Sequence, residues 1–267
     1  MVFLKCNFFS KTLLNHVDVD ILLPSCPDND CVNAPLERIY GDAPAYPVLY
    51  LLHGALDDRT MWVRHTEIER YAQQANMAVV MPSGGNWFYT DARFGPKYFT
   101  FVTEELPMFV EKTFPVSRRR EDRFIAGPSM GGYGATKCAL RCPEKYAAFG
   151  DFSGAVDPEK LYPQMVAMGF DIFRYDLIFG NDRAQPGDGE DVYRLAASLA
   201  GRAKKPDAYV YCGLEDTANY EMNRRLAQTL EAFGFRTSFR DGTGSHDWLY
   251  WDQCIQHFLH AVSAGRD

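Results

Sequence analysis

The chain opens on alternation. In "HVDVDIL" the apolar residues Val17, Val19 and Ile21 are separated by Asp18 and Asp20, the period of a strand with one buried face. With "VFLKCNFFS" before it, this predicts two paired strands. After the polar loop "SCPDNDCVNAPLERIYGDAPAYP" the pattern changes. "VLYLLHG" (Val48 to Gly54), "MAVVMP", "RFIAG", "YAAFGDFSG" and "DAYVYCG" are apolar runs stopped by glycine or proline, as expected of strands covered on both faces. "RTSFRDG" is the last strand. Helical spacing recurs between them. "TMWVRHTEIERYAQQA" predicts one helix with Met61, His65, Ile68 and Tyr71 on one face. "KYFTFVTEELPMFVEKTFP" predicts a helix with Pro107 inside it, hence a kink there or a break before it. "MGGYGATKCALRC" predicts a third helix. "NYEMNRRLAQTLEAFG" is a fourth, which Gly234 can terminate. "HDWLYWDQCIQHFLHAVS" is the last, with Leu249, Cys254, Phe258 and Val262 near one face.

Strands alternating with helices imply an α/β fold, a mainly parallel twisted sheet with helices on both faces. The expectation is a single domain over 1–267. The segment 157–205 breaks the rhythm with "GNDRAQPGDGEDVY" and reads as a small insertion over the strand ends, where such sheets bind ligands. The formal charge of -7 offers no basic face for nucleic acid. The one basic cluster, Arg118-Arg119-Arg120, is followed by two acids and reads as a solvated turn. No apolar run approaches the roughly 18 residues of a membrane span. Seven cysteines cannot all pair internally, and Cys138, Cys142 and Cys212 read as small core residues. Cys26 and Cys31 flank a polar loop and could pair. The set suits a reducing, cytoplasmic setting.

The chemistry concentrates in "IAGPSMGGYGA". Gly127-Pro128-Ser129-Met130-Gly131 fits G-x-S-x-G between a predicted strand and a predicted helix, the context in which a serine is presented on a sharp turn. Gly127 and Gly131 let strand and helix cross closely. Gly132 and Gly134 keep the helix start slim. Pro128 suits the last step of a strand, and its nitrogen is expected beyond the last ladder bond. A serine needs a base held by a carboxylate. Beyond Ser129, His257 and His260 lie within the last helix, whereas His246 sits in the glycine-rich loop "DGTGSHDW". The carboxylate should follow the preceding strand, in "YVYCGLEDT". Asp216 is the choice and Glu215 the reserve, with adjacent Asp247 unsuited as an orienter. Two backbone N–H groups should hold an oxyanion: Met130, and Ala55 after "LLHG", with Leu56 next. His53 precedes the serine and reads as a loop-shaping residue. Asn86, Trp87 and Tyr89 follow a strand end, and Trp248 and Trp251 flank the histidine. Asn86, Trp87 and Trp248 are the candidate substrate-binding residues. No histidine pair has the H-E-x-x-H spacing of a zinc hydrolase.

"YLLHGALDD", "VVMPSGGNWFYTD", "EELPMFVEKTFP", "FIAGPSMGGYGA", "CGLED" and "SHDWLYWD" together resemble the esterase branch of the α/β-hydrolases. That branch includes tributyrin-type carboxylesterases, S-formylglutathione hydrolases, feruloyl and acetylxylan esterases, and mycolyltransferases. The likeness is greatest to the tributyrin esterases and runs from near Phe3 to near Val262. It implies an α/β-hydrolase fold, a Ser129–Asp216–His246 triad and oxyanion donors at Ala55 and Met130. It also implies a small short-acyl ester as substrate, no metal or other cofactor, and frequent homo-oligomers. Pro128 departs from the leucine or histidine usual at that place.

Overall fold

The computed structural model describes residues 1–41, 45–167, 169, 175–180 and 189–264. Eight strands form one sheet: β1 Val2–Ser10, β2 Asn15–Leu23, β3 Val48–Leu51, β4 Ala78–Pro82, β5 Arg123–Pro128, β6 Ala148–Phe152, β7 Asp207–Gly213 and β8 Thr237–Gly242. Their spatial order is β1-β2-β4-β3-β5-β6-β7-β8. β2 runs antiparallel to β1 and β4, and every pairing from β4 to β8 is parallel.

Burial on both faces follows from the runs of apolar residues. Val48, Tyr50 and Leu52 enter one core layer, and Leu49 and Leu51 the other. Helix Met130–Arg141 packs in the first layer and helix Trp248–Ser263 in the second. Among the described residues no helix is long and apolar enough to cross a membrane.

Several expectations change on contact with the fold. The residues of "TMWVRHTEIERYAQQA" form two helices, Met61–His65 and Ile68–Gln74. Trp62, not Met61 or His65, fills the core beside Ile68 and Tyr71, because the break at Thr66-Glu67 resets the helical phase. Leu249 is 81% exposed, and the buried face of the last helix is carried by Trp251, Cys254, Ile255, Phe258 and Val262. Asp20, expected on the wet side of β2, is buried under Arg59, whose Nε lies 2.9 Å from its carboxylate. The arginine cluster is not simply solvated. Arg120 donates to the carbonyls of Pro143 and Lys205 and so braces two loops. Cys26 and Cys31 are not joined by a disulfide; the Cys31 thiol donates to the Cys26 carbonyl at 3.4 Å, and Cys138, Cys142 and Cys212 are buried.

The two prolines are accommodated by local rearrangement. Pro107 stands in the first turn of helix Leu106–Thr113, directly after a π-helical turn over Phe101–Glu105. A proline cannot serve the carbonyl four residues back. That carbonyl, Thr103, accepts instead from Lys145 Nζ at 2.9 Å. Pro128 lies inside β5, paired in register with Phe152 of β6, not beyond the ladder. On the other edge, Leu52 N–H donates to the Ala126 carbonyl at 2.8 Å. A parallel ladder would bring the next β5 donor, residue 128, to the Leu52 carbonyl. Pro128 has no N–H, and the Trp62 indole donates to that carbonyl at 2.8 Å. Trp62→Phe therefore leaves a buried carbonyl unmade beside the site. It is expected to lower stability by about 1–3 kcal/mol, readable as a shift in the urea midpoint at unchanged m-value.

Candidate active site

β5 delivers Ser129 with φ 52° and ψ -117°, a backbone state that L residues avoid. Neighbouring chains hold it there. Ser129 N–H donates to the Phe152 carbonyl at 2.9 Å, and its carbonyl accepts from Tyr133 at 3.1 Å and from Ala155 at 3.0 Å. The close crossing leaves no room for side chains. A Cβ on Gly127 would stand 2.7 Å from the Gly131 backbone, and one on Gly131 would stand 2.7 Å from the His53 carbonyl.

β7 and the loop after β8 bring the other two groups. His246 Nε2 lies 3.0 Å from Ser129 Oγ, and His246 Nδ1 lies 2.7 Å from Asp216 Oδ2. An ionised Asp216 accepts the Nδ1 proton, which leaves Nε2 free to take the serine proton. Burial pushes the Asp216 carboxyl up. The hydrogen bond and charge of His246 and the Asn219 amide outweigh burial, and the carboxyl stays below its ordinary range. Glu215, the reserve, points elsewhere: its carboxylate accepts from Gly244 N–H and fixes the histidine loop. Asp247 caps the last helix by accepting from Tyr250 N–H at 3.0 Å.

The loop after β3 shapes the third wall. His53 is buried, and burial lowers it to about 4, so the ring is neutral. Its Nδ1–H donates to the Gly54 carbonyl at 2.6 Å, and its Nε2 accepts from Gly84 N–H at 2.7 Å. Leu56 turns through φ 69°, and its N–H donates to Asn86 Oδ1 at 2.7 Å. The Leu56 N–H is therefore occupied. Ala55 borders the cavity in front of Ser129, and Met130 opens the helix, where N–H groups lack intrahelical partners.

A family model described as "Putative esterase" matches residues 36–260. The chain belongs to that esterase family. An acetyl esterase of Caldicellulosiruptor saccharolyticus is 29% identical over 274 residues, covering 100% of both chains. Two Staphylococcus aureus structures are each 30% identical and cover 98% of both chains. One is the fluorophosphonate-binding serine hydrolase FphF, substrate bound, with a TM-score of 0.86. The other is the S-formylglutathione hydrolase FrmB, with a TM-score of 0.82. The chain is a serine hydrolase acting on esters, with the α/β-hydrolase fold.

In this esterase Ser129, His246 and Asp216 open into a cavity of about 320 Å³. Its walls include Phe88, Leu161, Gln164, Met165, Ala218 and Trp251, of which Leu161, Gln164 and Met165 come from helix Pro158–Ala167 after β6. Asn86, Trp87 and Trp248 are not among the lining residues. Asn86 acts one step back, through Leu56. Trp87 lies against the backbone of Gly85 and Gly95. Trp248 packs edge-on against Trp62 at 5.0 Å and stacks on His65 at 5.2 Å. Trp251, one turn on, is the tryptophan that meets the His246 ring, edge-on at 5.0 Å. Tyr89 is buried, and its hydroxyl bonds the His53 backbone at both N–H and carbonyl, 3.0 Å each.

One wall is held under strain. Phe88 and Tyr89 have φ 51° and 48° in succession. Lys137, fully buried in the helix after Ser129, donates to the Phe88 carbonyl at 3.2 Å, to Thr90 Oγ1 and to Glu190 Oε2 at 2.7 Å. Glu190 comes from the segment after β6, so the same ion pair ties that segment to the helix. The polar stretch 181–188 just before it lies outside the described residues.

Proposed function

We propose that the esterase hydrolyses small, uncharged carboxylic esters with short acyl groups through an acyl-enzyme on Ser129. The row Asp216–His246–Ser129, at 2.7 and 3.0 Å and opening into an apolar cavity, carries this reading. Ser129 Oγ attacks the ester carbonyl as His246 Nε2 takes its proton. The N–H groups of Ala55 and Met130 receive the oxyanion, aided by the positive end of helix Met130–Arg141. Asp216 holds the imidazole tautomer and stabilises the imidazolium. His246 then protonates the leaving alcohol, and water repeats the sequence on the acyl-enzyme. Seven cysteines without a disulfide suit a cytoplasmic setting, and 1–267 acts as one domain.

A volume of about 320 Å³ lies at the small end of ligand pockets. In a series of 4-nitrophenyl esters from acetate to octanoate, kcat/KM is expected to peak at about four acyl carbons or fewer. Better turnover of octanoate would refute it. The likeness to FrmB makes S-formylglutathione the rival substrate. No lysine or arginine is among the described residues lining the cavity, and among these the carboxylates of glutathione would meet no cation. Acetate esters are expected to outpace S-formylglutathione in side-by-side assays, and the reverse order would establish the thioesterase reading.

A further inference from the structure

Helix Tyr220–Ala232 begins on a cap that does not cap. Asn219 holds the N-cap position, where an asparagine side chain ordinarily accepts a free N–H of the first turn, but it makes no such bond. Its Nδ2 donates to Asp216 Oδ1 at 3.0 Å, its backbone N–H reaches the same oxygen at 3.3 Å, and the amide lies 3.1 Å from His246 Nδ1. Its own Oδ1 is buried and finds no partner among the described residues. The amide is thus oriented by what it donates to.

One turn on, Asn223 is completely buried on the stripe that Leu226, Ala227 and Leu230 continue. An apolar residue there would suit the packing, and a buried amide is costly unless it is bonded. Its Nδ2 donates to the Asn219 carbonyl and to the Gly154 carbonyl, both at 2.9 Å, and its Oδ1 accepts from Gly154 N–H at 3.1 Å. The next residue, Ala155, donates to the Ser129 carbonyl at 3.0 Å. A continuous path therefore joins the Asp216 carboxylate to the backbone of Ser129.

We propose that Asn219 and Asn223 are positioning residues. They form a bridge that locks the acid–base half of the site, carried by β7 and the loop after β8, onto the nucleophile half, carried by β5 and β6. The inference rests on the roles given above to Ser129, Asp216 and His246. With Oδ1 held by two donors, the carboxylate cannot rotate and Oδ2 remains for His246. Among the described residues, the other polar or titratable groups facing this pair are the Cys212 thiol, 3.8 Å from Asp216 Oδ2, Ser153 just after β6, Ser129, and Asp247 next in the chain. None is a cation that could replace the asparagine donors.

Asn219→Ser separates positioning from folding, since serine caps a helix as well as asparagine does but cannot supply the amide donor to Asp216. With 4-nitrophenyl acetate, Tm is expected to hold or rise, KM to hold and kcat to fall about tenfold or more, the worth of a hydrogen bond to a charged group. The acid limb of the kcat/KM profile is expected to move to higher pH, because a carboxylate with fewer donors holds the imidazolium proton more tightly. Asn223→Ala is expected to lower kcat in the same way, and the double variant to be no worse than the poorer single one. Asn219→Ser alone decides the case where Asn223→Ala fails to fold. Unchanged kcat and pH profile in Asn219→Ser, or fully additive losses in the double variant, would overturn the bridge alone. An inert wild type would overturn the site assignment and the bridge with it.

Discussion

Ser129→Ala is expected to lower ester turnover by about a million-fold and to abolish labelling by a fluorophosphonate. The size of the loss follows from the geometry. Ser129 Oγ–H donates to His246 Nε2 at 3.0 Å, and alanine leaves the base with nothing to activate. Asp216→Asn is expected to fall less far, by about ten-thousand-fold, because an amide permits the wrong imidazole tautomer without removing the nucleophile. Stability should barely follow activity. Alanine inherits the same φ of 52°, and the backbone bonds to Phe152, Tyr133 and Ala155 do not involve the side chain. Wild-type turnover in Ser129→Ala, with its melting curve intact, would remove the serine from the mechanism.

The second large effect is on folding. Glu190→Leu removes the carboxylate from the fully buried Lys137 ammonium, which keeps Thr90, the Phe88 carbonyl and the face of the Tyr133 ring, and is expected to cost about 3–5 kcal/mol. Lys137→Met is expected to cost less. It leaves Glu190 with the Thr90 hydroxyl at 3.0 Å, the Tyr133 hydroxyl at 3.1 Å and Arg141 at 3.4 Å. Burial already works against the charged form of Lys137, and Glu190 opposes that shift. The ordering is the sharp part, and urea midpoints of the two variants check it. Equal or inverted losses would mean that this ion pair is not the main tie between helix Met130–Arg141 and the segment after β6.

Much of this was written in local pattern. Continuous apolar runs ending in glycine or proline marked β3, β4, β5 and β7, because a strand covered on both faces has no polar alternation to show. The spacing around Ser129, and the order serine, acid, histidine, singled out the three groups that the fold brings together. Legibility failed where tertiary contact decides. The sequence shows Trp248 and Trp251 on one helix, but which of them faces His246 depends on how that helix lies on Trp62. Asn86 follows a strand end and reads as a substrate contact. Its actual partner, Leu56 N–H, is exposed to it only because Leu56 adopts a positive φ. Asn223 had a faint signal, an asparagine three, four and seven residues before Leu226, Ala227 and Leu230 on one apolar stripe. A polar residue in a core register usually has a buried partner, and the sequence could not say that the partner was Gly154.

The glycine crossing has a consequence for how such a protein can diverge. At Gly127 and Gly131 an added methyl group meets backbone, not a movable side chain, so these positions are closed to drift. The wall with Leu161, Gln164 and Met165 is instead built of side chains on helix Pro158–Ala167, outside the sheet. Mutations accumulate where they are tolerated. In this plan the setting of Ser129 is fixed by backbone, whereas the wall is made of side chains, and the similar proteins at about 30% identity carry different names, acetyl esterase and S-formylglutathione hydrolase among them.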